Sequence, residues 1–171
     1  MGDPSSIEER HADLFADGGE EARFRDPLAA RRKAMDYLAR REYGRAELTR
    51  KLSDAGFAAA VAAAAVDRLA DEGLQDDRRF VDAFVRSRIA QGKGPLRIRA
   101  DLAGRGLDEP LIEAALEDAG ADWAALAADV RRRKFGAALP ETFPEKARQM
   151  RFLQYRGFLP DQVQAALDAA R

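Results

Sequence analysis

The chain has no cysteine and a single histidine, His11, among 171 residues. No disulfide framework or cysteine zinc site can therefore be built, and a serine–histidine triad has only one candidate base. The absence of thiols fits a reducing compartment. There is one tryptophan and there are three methionines, and no apolar run approaches the length of a membrane span. Met1 is not followed by a basic and then apolar leader. These absences predict a soluble, cytoplasmic protein without a membrane partner. Phosphate-cradling loops are missing too: Gly92-Lys93-Gly94-Pro95 has a lysine but not the P-loop or dinucleotide spacing. Asp76-Asp77 reads as a helix-capping pair ahead of a helix, not as a catalytic one. Neither an enzyme nor a bound cofactor or metal is expected.

Charge is abundant but segregated. The formal net charge is −1, with charged residues at 35%. Residues 1–28 hold eight acids against three arginines, and residues 31–51 hold eight bases against three acids. Residues 108–122 hold six acids and no base, and residues 129–156 return to eight bases against three acids. Such blocks create local potentials that a near-neutral total conceals. Residues 1–27, with few large apolar side chains, read as a flexible acidic N-terminal tail with a short helix around Ile7 to Phe15. His11 falls in that tail and is expected to be solvent-exposed.

From Pro27 onward the sequence repeats. Leu52-x-x-x-Gly56-Phe57 returns as Leu102-x-x-x-Gly106-Leu107 and as Leu153-x-x-x-Gly157-Phe158, at separations of 50 and 51 residues. Each leucine is followed fourteen residues later by Val66, Leu116 or Leu167, with Ala65, Ala115 or Ala166 just before it. Four residues before each leucine stand Leu48, Ile98 and Gln149. In the third copy Met150 is expected to substitute for Gln149 in the core. A period near 50 in an alanine-, leucine- and arginine-rich chain means stacked helical units.

Apolar spacing resolves each unit into three helices. They are read at Ala30 to Glu42, Arg45 to Ala55 and Ala58 to Glu72; at 77–91, 95–105 and 108–119; and from Asp122 through Phe135, at 145–156 and from Pro160 onward. Gly92 stops one helix and Pro95 begins the next, where a missing N–H costs nothing. Gly106 is placed to close a helix in the left-handed conformation. The fold class is all-α: three tandem three-helix repeats, at residues 28–75, 76–120 and 121–171, forming an elongated, curved array behind the acidic tail of residues 1–27.

The basic residues are the candidate site. Arg40 and Arg41 are read at the end of the first helix of repeat 1. Arg86, Arg88, Lys93, Arg97 and Arg99 bracket the turn of repeat 2, and Arg132, Arg133 and Lys134 close a helix of repeat 3, followed by Arg148, Arg151 and Arg156. Cations at helix C-termini complement the macrodipole. That does not account for Arg45, Arg97 and Lys146 at the starts of second helices, so an external anionic polymer is the better explanation.

The motifs Leu38-Ala39-Arg40-Arg41-Glu42-Tyr43-Gly44-Arg45-Ala46-Glu47-Leu48 and Asp76-Asp77-Arg78-Arg79-Phe80, with Phe84, Arg88, Gly94-Pro95, Ile98, Leu102 and Gly106, resemble the bacterial RecX family. Arg132-Arg133-Lys134-Phe135-Gly136 and Arg151-Phe152-Leu153-Gln154-Tyr155-Arg156-Gly157-Phe158 are similar to its third-repeat signatures. The likeness runs from about Arg31 to Leu167. It departs at Gly44, where a serine-like cap is usual, and at Asp101, where a glutamate is usual. The resemblance implies a negative regulator of the RecA recombinase that lies in the groove of the RecA–DNA filament. Filament growth, ATPase, strand exchange and coprotease activity are then its targets, and DNA repair, recombination and the SOS response its setting. It implies as partners the RecA filament and single- or double-stranded DNA, met directly or within the filament, by a monomer. The thirteen basic residues named above would be its contacts, and charge reversal at Arg86, Arg88 and Arg97 should weaken inhibition without loss of helicity. Two other readings stay open: a direct DNA-binding, transcriptional module using the 95–105 helix as recognition helix, and a helical adaptor without nucleic-acid affinity.

Overall fold

The computed structural model describes residue 19 and residues 21–168, and those residues are helices, turns and loops with no strand. Nine helices follow helical residues 21–24: α1 (Pro27–Leu38), α2 (Arg45–Asp54), α3 (Ala59–Asp71), α4 (Asp77–Ala90), α5 (Pro95–Ala103), α6 (Glu109–Asp118), α7 (Trp123–Phe135), α8 (Phe143–Arg156) and α9 (Pro160–Asp168). The all-α class in three-helix repeats is as the periodicity predicts. The chain divides into one compact unit that ends at Asp76 and a second that starts at Asp77 and holds α4 to α9.

The recurrent Leu-x-x-x-Gly-apolar signature is a helix terminator. The N–H groups of Phe57, Leu107 and Phe158 donate to the carbonyls of Leu52, Leu102 and Leu153 at 3.1, 3.4 and 3.2 Å. Those of Gly56, Gly106 and Gly157 donate to Ser53, Ala103 and Gln154 at 2.9–3.0 Å. This 6→1 and 5→2 pair is the Schellman motif. It needs a residue at positive φ, and the three glycines have φ of 103°, 79° and 93°. The leucine that gives its carbonyl is also the fully buried centre of its repeat, so one pattern fixes both where the helix stops and what it packs on.

Three cores result, one per repeat. The first joins Leu48, Leu52, Phe57, Val66 and Leu69 to five buried alanines of α1 and α3. The second gathers Phe80, Val81, Val85, Ile98, Leu102, Ile112 and Leu116, and the third Ala127, Val130, Leu153, Phe158, Val163 and Leu167. Gln149, not Met150, occupies the buried position equivalent to Leu48 and Ile98; Met150 packs at the edge of the core. Long unbranched side chains tolerate such exchanges, which is why the pattern survives a polar residue there.

Two boundaries differ from expectation. The ordered chain begins inside the stretch 1–27: the Phe24 ring meets Phe57 edge-on at 5.7 Å, its carbonyl accepts from Ala58 N–H at 3.1 Å, and Asp26 caps α1 through the Leu28 N–H. The first helix also stops at Leu38, so Arg40 and Arg41 lie in the turn beyond it. The rest of the expected tail, including the Ile7 to Phe15 segment and His11, lies outside the described residues.

Carboxylates clamp helices within each unit. Arg31 of α1 donates to both oxygens of Glu72 at 2.9 and 2.7 Å, and Arg99 of α5 to both of Glu113 on α6 at 2.5 and 2.8 Å. These hydrogen bonds hold both glutamates below the usual carboxylate range. The backbone N–H groups of Thr142 and Glu141 do the same for Glu145 in a capping box at the start of α8. A carboxyl with a depressed folded-state pKa stabilises above its unfolded value, about 4.3 for glutamate, and that contribution is lost as pH falls through the folded value. Thermal unfolding between pH 6 and pH 3 should therefore fall less steeply for Glu113→Gln than for the parent. Parallel curves would remove this clamp as a source of acid sensitivity.

Candidate interaction surface

The basic residues fall into distinct environments. In the unit ending at Asp76, Arg40 is exposed. Arg41 donates to the buried carboxylate of Glu47 at 2.7 Å and stacks on the Tyr43 ring, its guanidinium carbon 3.6 Å from the centroid. Arg41 is thus largely committed to holding its own turn.

In the second unit the junction between the second and third repeats is built from helix ends. The α5 N-terminus abuts the α8 C-terminus. Gly94 N–H donates to the Arg156 carbonyl at 2.9 Å, and Leu96 N–H to the Gly157 carbonyl at 3.0 Å. Donors left over at one helix start are satisfied by acceptors left over at another helix end, and the two dipoles run head to tail. The approach requires two glycines. A Cβ on Gly94 would lie 2.3 Å from the Gly157 carbonyl carbon and oxygen, and one on Gly157 would lie 2.5 Å from the Arg97 nitrogen.

Beside this junction, Ala90, Gln91 and Gly92 of repeat 2 face Val130, Arg133, Lys134, Phe152 and Arg156 of repeat 3 across a cleft of about 260 Å³. Arg156 donates to the Gln91 carbonyl at 3.3 Å and lies 5.5 Å from the Phe152 centroid. Phe152 meets Phe135 edge-on at 5.3 Å, and Arg148 lies 5.2 Å from the Phe135 centroid. The order Arg148, Phe135, Phe152, Arg156 alternates cation and ring faces, holding two guanidinium groups on a rigid aromatic support. Arg133, with three quarters of its side chain exposed, and exposed Lys134 project from the last turn of α7. This part of the surface offers cations and hydrophobic flats to an anionic partner.

The remaining cations are placed otherwise. Arg97 donates to Asp101 at 3.1 Å, and Arg88 reaches the same carboxylate at 3.8 Å while donating to the Gln91 side chain at 2.9 Å. Arg132 pairs with Asp129, which also lies 3.6 Å from Arg133. Arg86 borders a different cleft, with Asp82 and Asp118. Lys93 is half-buried beside the junction, and Arg151 is exposed on α8. Arg131, within the same basic run, is only 5% exposed and donates to the carbonyls of Ala138 and Ala137 at 2.9 and 3.3 Å, pinning the loop after α7.

The dipole argument for an outside partner is also altered. Arg45 finds Asp67 on α3 at 2.5 Å and Arg97 finds Asp101, so two of the three bases at helix starts have internal carboxylates. The i,i+4 spacing of Arg97 and Asp101 was readable in the sequence; the pairing of Arg45 with Asp67, 22 residues on, was not. The residues that sequence reasoning passed over are Phe135, Phe152, Gly94 and Gly157, which no local pattern brings together. Among the described residues no helix is long and apolar enough to cross a membrane, and no group of three acidic or histidine side chains could hold a metal ion.

The known proteins this chain is similar to are consistent with one another. Family models of RecX match in order: the first three-helix domain at residues 30–69, the second at 76–116 and the third at 122–167. The regulatory protein RecX of Pseudomonas savastanoi pv. phaseolicola is 49% identical over 137 residues, covering 80% of this chain and 88% of the relative. That of Halorhodospira halophila is 47% identical over 142 residues, covering 83% and 88%. A crystal structure of regulatory protein RecX superposes with a TM-score of 0.69 at 21% identity, over 94% of this chain and 77% of that one. The RecX of Lactobacillus salivarius gives 0.66 at 22%, over 84% and 97%. A helical chain that matches all three domain models in sequence order, with relatives near half identity along most of its length, belongs to the RecX family.

Proposed function

We propose that this protein is a negative regulator of RecA. It binds in the groove of the RecA–DNA filament and restrains filament growth, ATP hydrolysis, strand exchange and coprotease activity, and so tunes DNA repair and the SOS response in the cytoplasm. Its action is binding, not catalysis, and it acts as a monomer. The observation that carries the reading is the clustering of Arg133, Lys134, Arg148 and Arg156 around the Phe135–Phe152 pair. Exposed cations attract a polyanion, and a fixed aromatic support lowers the entropy lost on binding it. Arg40, Arg86 and Arg151 add exposed charge elsewhere.

The reversal test framed on Arg86, Arg88 and Arg97 is better moved. Arg88 and Arg97 share Asp101, so glutamates there would set acid against acid inside the repeat. Arg133→Glu with Lys134→Glu leaves the helix ends intact. RecA-coated single-stranded DNA, followed by ATPase and strand exchange together, should be inhibited about tenfold less effectively by this variant, a loss of about 1.4 kcal/mol in binding. Undiminished inhibition by the folded double variant would refute the proposed contact.

The recognition-helix reading loses support from the α5 N-terminus. That end would have to present residues to base edges, yet it is docked on α8, and Arg99 is held by both oxygens of Glu113. Tight, steeply salt-dependent binding to duplex DNA without RecA would restore it.

A further inference from the structure

In the unit ending at Asp76 the α1 surface is incompletely covered. Leu28 is 62% exposed and Met35 37%, one heptad apart on the same helix face. Two adjoining clefts share Leu28 and Arg31. One runs along α1 past Arg32 and Met35, and the other lies between α1 and α3 over Ala64 and Ala65, with Arg68 at its edge. The floor is aliphatic because α3 is nearly all alanine there, and the rim is cationic. Arg23, two residues into the continuously described chain, also borders the first cleft. The chain therefore enters the fold at the mouth of the groove.

We propose that the acidic stretch Ile7 to Asp17 of this same chain docks in that groove, placing Ile7, Leu14 and Phe15 against Leu28, Met35 and the α3 alanines. Three properties fit this occupant. Its apolar residues recur at i, i+7 and i+8, one face of a helix. Residues 1–18 hold Asp3, Glu8, Glu9, Asp13 and Asp17 against Arg10, opposite in sign to the groove rim. Eleven helical residues span about 16 Å at 1.5 Å each, which matches the ten residues from Pro27 to Asp36 along α1. Tethering supplies a local concentration of roughly millimolar, so a weak contact suffices. Docked there, the tail screens α1 cations from any external polyanion.

The absence of cysteine gives a clean test. A nitroxide on Ser6→Cys in the otherwise intact chain should broaden the amide signals of Leu28, Met35, Ala64 and Arg68. That broadening should be lost with Leu14→Asp and Phe15→Asp, and reduced in 1 M salt, where the Debye length is about 3 Å. Both tail substitutions lie outside the packed repeats, so the fold is the same in each sample. Equal broadening with and without the apolar side chains would reduce the effect to tethering and overturn the proposal. Broadening seen only when spin-labelled and isotope-labelled chains are mixed would overturn it in favour of a second copy.

Discussion

Replacing Gly157 by alanine is expected to destabilise the second unit by about 2–4 kcal/mol, from two additive sources. An L-residue in the left-handed region costs roughly 1–2 kcal/mol, and Gly157 has φ of 93°. Overpacking adds roughly 1–3 kcal/mol, because the new methyl would meet the Arg97 backbone and Cβ at 2.5 Å. Two other glycines separate the terms. Gly120, at φ 57° with nothing within 4 Å of a Cβ, isolates the backbone cost. Gly94, at φ −80°, has no backbone cost but meets Gly157 and Phe158 backbone atoms at 2.3–2.4 Å, and so isolates the overlap. Urea unfolding of the three alanine variants should rank Gly157 above Gly94 and Gly94 above Gly120. Since the α5–α8 junction carries one wall of the Arg133–Lys134–Arg156 cleft, inhibition of RecA should fall with Gly94→Ala even where most of the protein remains folded. A Gly94→Ala protein as stable as the parent would mean that the helix ends are not held in this register.

The second large effect concerns repeat 1. Leu52→Ala should cost about 3–5 kcal/mol, the upper part of the range for buried leucines, and more than Leu102→Ala. Both side chains are fully buried. The surroundings differ: Leu52 shares its core with Ala29, Ala30, Ala34, Ala62 and Ala65. A methyl group cannot reach into a neighbouring void, so the cavity closes only if helices move. Around Leu102 the core includes Phe80 and Ile112, with Phe84, Ile89 and Trp123 packed at its edge. Those longer side chains can rotate into part of the space. Denaturant midpoints for the two variants decide the point, and a larger loss at Leu102 would contradict it.

Much of the architecture was legible because each repeat writes its own punctuation. Helix ends at Gly56, Gly106 and Gly157 follow from a local hydrogen-bond requirement, and Pro95 and Pro160 open helices for an equally local reason. Periodicity named Leu48, Leu52, Ile98, Leu102 and Leu153 as core, and all are fully buried. Residues 21–27 were misread as tail because Phe24 earns its place only against Phe57, 33 positions away.

The candidate surface was legible as composition but not as geometry. Runs of arginine mark helix ends without saying which guanidinium groups turn inward: Arg131 is buried on two carbonyls while Arg133, two residues on, is exposed. Thus the one-dimensional pattern determined the helices, their termini, the three cores and the abundance of cations, since each depends on neighbours a few residues apart. The tertiary structure alone decided which cations are spent on Asp67, Asp101 and Glu113, and which gather beside Phe135 and Phe152. Pairing at 4 Å depends on how helices cross, and crossing is set by packed volumes that no short stretch of sequence contains.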